Sequence, residues 1–170
     1  MFARGLLDAL RRYAHLLIDP EAEWNLVAAE KPSVSEAIFP FSVIGLVFSL
    51  LCASLGIVLR IGDKSFVVEL LAHLVGDAVG LATFAVASAL VARRVDAVRS
   101  QLGGVTAVYC FTGMWLSSIV SFVPIPYLGW LRLLVGTLYT GYLYHRSLDQ
   151  VLGVPRHSRL MTLAVSMGGL

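Results

Sequence analysis

Between Glu36 and Arg60 the chain runs for 23 residues without a charged side chain. As a helix rising about 1.5 Å per residue, this run reaches about 34 Å, enough to cross a bilayer core of about 30 Å. It is not isolated. Residues 66–92 are apolar except for Glu69, His73 and Asp77, and no charge appears between Arg99 and Arg132. Pro124-Ile125-Pro126 divides that last stretch, because prolines in adjacent turns cannot continue a helix. It therefore reads as two spans, 103–123 and 127–144. A final apolar piece, 160–170, covers only about 16 Å, half a membrane. Composition agrees: 58% of residues are hydrophobic and 14% charged, against about 25% charged in a soluble domain. The expected fold is an all-α integral membrane protein with four full transmembrane helices and a partial fifth.

Residues 1–36 are expected to form a cytoplasmic, interfacial helical segment ahead of a bundle over 37–170. They lack the long apolar core and cleavage site of a signal peptide. On a helical wheel Phe2, Leu6, Leu10, Tyr13 and Leu17 share one face, and Arg4, Asp8, Arg11, Arg12 and His15 the other. That pattern suits a helix lying in the membrane interface, its basic face toward headgroups. A soluble helix packed on the bundle is the alternative. Asp19 reads as an N-cap with Pro20 at the first helical position, opening a short helix that ends before Pro32. Trp24 is expected on its membrane-facing side. Ser33 and Glu36 have capping-box spacing, so the first span is expected to start at Ala37 with Pro40 in its opening turns. Tyr127 and Trp130 mark one end of the fourth span, and Tyr139, Tyr142 and Tyr144 the other. Of the 13 Lys and Arg residues, ten fall in connections on one side and two on the other, with Arg132 inside the fourth span. That bias places the N-terminus in the cytoplasm.

A net charge of +2 and the lack of a basic stripe argue against nucleic acid. Cys52 and Cys110 lie inside apolar runs, so neither a disulfide framework nor a zinc site is expected. The partners expected are the lipid bilayer and other membrane proteins, or a second copy of the chain.

Three stretches resemble the Yip1 domain family of multi-pass membrane proteins. Ile18-Asp19-Pro20-Glu21-Ala22-Glu23-Trp24 resembles the D-P-x-x-x-W opening of bacterial members. Phe39-Pro40-Phe41 is similar to the proline after an aromatic at the head of the family's first span. Leu133, Tyr139, Tyr142, His145, Leu148 and Gly153-Val154-Pro155-Arg156 resemble its Y-x-x-Y…G-V-P segment. The resemblance implies five spans, a cytoplasmic N-terminus and residence in a bacterial inner membrane. Eukaryotic members contact Rab GTPases and carry D-L-Y-G-P-L near span one. Here that stretch is Ala37-Ile38-Phe39-Pro40-Phe41-Ser42, a departure that argues against a GTPase partner.

Glu69, His73 and Asp77 are spaced by four along the second span, and ionisable groups at membrane depth suggest function. Three readings stay open: a metal face, for which no second cluster supplies a fourth donor; a proton or ion path; and groups satisfied by neighbouring helices. The third pairs Glu69 with Arg132 at equal inferred depth and sets Asp77 beside Ser117 and Ser118. Gly76-Asp77 is similar to part of an intramembrane aspartyl-protease motif, but no other span carries a second aspartate. Neither H-E-x-x-H nor G-x-S-x-G is present. No enzyme, cofactor or metal is expected. Small residues recur at packing spacing, Gly45, Ser49 and Ala53 on span one and Ala72, Gly76 and Gly80 on span two. The expected role is a scaffold or accessory subunit in membrane organisation; the alternative is a small transporter or proton-conducting protein using the Glu69/His73/Asp77 stripe.

Overall fold

The computed structural model describes residues 2–59, 66–95, 97–122 and 128–168, and every regular element among them is helical. The chain opens with α1 (Phe2–Ile18) and α2 (Pro20–Glu30). Asp19 caps α2 by accepting the Ala22 N–H at 3.1 Å, and Pro20 follows where a missing N–H costs nothing. Lys31, at φ 49°, ends the helix with its N–H on the Val27 carbonyl. Removing the cap by Asp19→Ala is expected to cost about 1 kcal/mol. A lower melting temperature in detergent, restored by Asp19→Asn, would report it.

The Ser33–Glu36 capping box forms, with both reciprocal bonds present. The Ser33 N–H and hydroxyl hold the Glu36 carboxyl below its ordinary pKa. The box opens only one turn, α3 (Val34–Ala37). Phe39 then leaves the helical region at φ −118°, ψ 120°. Pro40 is the cause, since its ring disfavours the α conformation in the residue before it. The helix of the first apolar run is therefore α4 (Val43–Leu59), about 26 Å rather than about 34 Å.

α5 (Phe66–Arg94) is the longest element, about 43 Å. The third apolar run is not one uniform helix. A 3-10 turn (Ser100–Leu102) leads into α6 (Gly103–Cys110), the ladder breaks at Phe111, and α7 (Thr112–Ser117) ends in a second 3-10 segment (Ser118–Phe122). Nearly every side chain from Leu102 to Ser118 is buried, so this run is the axis of the molecule. α4, α5 and α8 (Leu128–Gln150) pack around it. α8 continues six residues past the expected end at Tyr144, which points inward, edge-on to Phe84 and bonded to Ser166 at 3.1 Å. Gly153, at φ 64°, follows the end of α8, where a side chain would be strained and its Cβ would press on Val98. The G-V-P segment thus has a local structural reason. α9 (Arg159–Met167) spans only about 14 Å and packs on α5 and α8.

Two helical stretches, Val67–Arg94 and Ser100–Val120, are long and apolar enough to cross a membrane. Around the buried axis, the outward faces are apolar. Val47, Leu51 and Leu55 on α4, Val75, Val79 and Val86 on α5, and Leu131, Leu134 and Leu138 on α8 are all exposed.

Candidate functional site

Four elements each contribute one polar side chain to the same buried point. α4 supplies Ser49, α5 supplies Asp77, the 3-10 segment after α7 supplies Ser118, and α8 supplies Arg132. The Ser49 hydroxyl donates to Asp77 Oδ2 at 2.6 Å, and Arg132 Nη2 donates to Asp77 Oδ1 at 3.0 Å. Arg132 Nη2 also lies 3.4 Å from Ser49 Oγ, which is 3.0 Å from Ser118 Oγ. Ser49, Asp77 and Ser118 are buried, and the Arg132 side chain is 12% exposed. Arg132 Nε is buried without a hydrogen-bond partner.

This geometry replaces the expected Glu69–Arg132 pair. Asp77 is the twelfth residue of α5 and Arg132 the fifth of α8, so the start of α5 extends about 10 Å beyond the start of α8. Equal distance from the two helix starts therefore does not place two residues at equal depth. A spacing of four also drifts about 40° around the axis per step, setting Glu69 about 80° from Asp77. Asp77 faces α4 and α8, whereas Glu69 and His73 are only partly buried. His73 Nδ1 lies 3.2 Å from the Glu69 carbonyl oxygen. Ser118 joins the network through Ser49, while the Ser117 hydroxyl donates to the Met114 carbonyl. Ser49, read from its spacing as a packing residue, is the hub. A lone hydroxyl on a packing face, with glycine one turn before it, was the available signal.

The small-residue stripes also divide. Gly45, Ser49 and Ala53 face inward, and a Cβ on Gly45 would lie 2.0 Å from Trp115. On α5 only Gly80 turns toward the bundle, against Phe111; Ala72 is exposed and Gly76 has nothing within 4 Å. Ala72 and Gly76 are therefore not packing residues within the chain, for the same reason of angular drift. Among the described residues, the closest approach of a glycine to the backbone of another helix is elsewhere, between α7 and α8. There a Cβ on Gly113 would meet the Thr140 backbone nitrogen at 2.6 Å, and one on Gly136 would meet Met114 and Ser117.

The N-terminal helices make a second ionic cluster, centred on one buried carboxylate. Glu23 is fully buried, with Arg12 Nη1 at 2.8 Å and His15 Nδ1 at 3.4 Å. Arg12 also pairs with Glu30 and lies 5.8 Å above the Tyr109 ring. Arg12 therefore turns inward rather than toward headgroups. Tyr13 stacks on Phe41 at 4.1 Å, and burial raises its phenol pKa. Trp24 is fully buried, edge-on to Tyr109, not membrane-facing. The reason is phase. Ala9, Arg12, Tyr13 and Leu16 form the packing arc, and the exposed apolar arc is Leu7, Leu10, Ala14, Leu17 and Ile18. Leu10 and Leu17 remain on the outer face; the side chains of Phe2 and Leu6 lie outside the described residues.

No family model, curated protein or solved structure matches the chain.

Proposed function

We propose that this chain is a non-enzymatic, Yip1-like integral membrane protein, crossing a bacterial inner membrane several times with its N-terminus in the cytoplasm, and acting as a scaffold or accessory subunit. One observation carries the reading: a charged pair with a serine hydroxyl donor of its own is largely buried inside a helical bundle whose outward faces are mainly apolar, rich in leucine and valine. In water such faces would drive aggregation; in lipid they need no cover. A charge facing hydrocarbon costs several kcal/mol, so a pair closed on itself suits a structural clamp. The D-P-x-x-x-W residues support the same reading, since they act as cap, first helical residue and core tryptophan.

Both Asp77 carboxylate oxygens are occupied by Ser49 and Arg132, which speaks against a relay through that carboxylate. The purified protein in proteoliposomes carrying an internal pH dye should pass no more protons than protein-free vesicles. Proton flux that Asp77→Asn abolishes would replace this reading with a conducting one. The orientation has its own check. A cysteine at Ser100 should be shielded from an impermeant thiol reagent in intact cells, and one at Asp63 should be labelled. The reverse pattern would invert the topology.

A further inference from the structure

An apolar groove of about 220 Å³ runs between α7 and α8, beneath the end of α1. Leu17, Gly113, Leu116, Ile119, Val135 and Tyr139 line it. It opens outward beside Leu17, Ile119 and Val135, all exposed. Gly113, at the close approach of α7 to α8, is part of its wall, and both wall hydroxyls are turned to backbone carbonyls, Ser117 to Met114 and Tyr139 to Leu16. The volume exceeds the roughly 150 Å³ of an apolar cavity known to admit benzene.

What fills it is indicated by the α8 face leading away from it. Val135, Tyr139, Tyr142 and Arg146 lie within about 60° of one another around the axis and extend about 16 Å along it. Val135 and Tyr139 line the groove. Tyr139 donates its hydroxyl to the Leu16 carbonyl at 3.2 Å, fixing α1 over the groove's end, and its ring stacks on Tyr142. Arg146 lies 5.7 Å from the Tyr142 ring and 2.8 Å from Glu21, both charges about half exposed. Such an exposed pair is worth at most about 1 kcal/mol, so the guanidinium is free to exchange its carboxylate for a phosphate, which it can grip with two N–H groups. Apolar slot, amphipathic rings and cation follow the order of acyl chain, ester region and phosphate in a phospholipid. We propose that this groove holds one acyl chain of an anionic phospholipid, with its phosphate on Arg146.

The inference rests on the membrane reading above, and one experiment separates the two. The full chain is reconstituted in vesicles of phosphatidylcholine and phosphatidylglycerol containing a phosphatidylglycerol with a diazirine on its acyl chain. After flotation and a carbonate wash, photolabelled peptides are mapped by mass spectrometry. Label should concentrate on 113–120 and 135–139, above the level on the outward faces of α4 and α5. Val135→Trp or Ile119→Trp, both at exposed positions, should lower it several-fold while the melting temperature is kept. Arg146→Gln should remove the advantage of the phosphatidylglycerol probe over its phosphatidylcholine counterpart. Even labelling of all outward faces in floating protein would overturn the groove and leave the membrane reading intact. So would a groove crosslinked to a second copy of the chain. Protein stripped from the vesicles by carbonate would overturn both.

Discussion

Replacing Asp77 with asparagine is expected to destabilise the detergent-solubilised protein by about 3 kcal/mol, because it strands the Arg132 guanidinium in a buried site. For a chain of this size that corresponds to a fall in melting temperature of roughly 6–12 °C. Arg132→Gln should cost a similar amount by leaving the Asp77 carboxylate with Ser49 as its main donor. Asp77→Asn combined with Arg132→Gln should cost clearly less than the sum, since neither charge is then left alone. Asp77→Leu with Arg132→Met should recover still more, as apolar replacements of buried ion pairs often do. Glu69→Gln, outside the network, should fall within about 0.5 kcal/mol of the parent. Strict additivity between the two single changes, or a coupling of Arg132 to Glu69 instead, would refute the pairing.

Gly113→Ala is the second large effect expected. Its Cβ would sit 2.6 Å from the Thr140 backbone nitrogen and 2.5 Å from the Thr140 hydroxyl oxygen. A flexible side chain can move aside; a backbone in a 23-residue helix cannot. Relief requires α7 and α8 to separate, and overpacking of this kind costs about 1–3 kcal/mol. We expect the upper end, read as loss of the folded, monodisperse species at a lower temperature. Gly76→Ala is the control: with nothing within 4 Å, it should be neutral or stabilising by up to about 1 kcal/mol through helix propensity. A tolerated Gly113→Ala together with a damaging Gly76→Ala would move the functional packing face to the outside of α5, where only a partner could feel it.

Much of the chain was legible because its rules act within one turn. Asp19 reaches the Ala22 N–H three residues away, Ser33 and Glu36 bond each other across the same distance, and Lys31 and Pro32 close α2 where expected. The apolar runs likewise foretold where α5 and the buried run from Ser100 would lie. The break at Phe39 belongs to the same class. The rule that a residue before proline avoids the helical region was available, but the capping box three residues earlier drew the helix start too far forward.

The partner of Arg132 was of another kind. The carboxylates available to it were visible in the sequence, but the choice between them depended on the axial offset of α5 against α8 and on the rotation of each helix about its own axis. The same two quantities turned Arg12 and Trp24 into the core, left Ala72 and Gly76 facing outward, and made Ser49 the hub of the polar network. A rotation of one residue is about 100° on a helix. On helices as apolar outside as inside, such as α4 and α5, hydropathy does not fix that angle. Packing does, because the rotations must let Gly113 and Gly136 cross while Asp77, Arg132 and Ser49 meet.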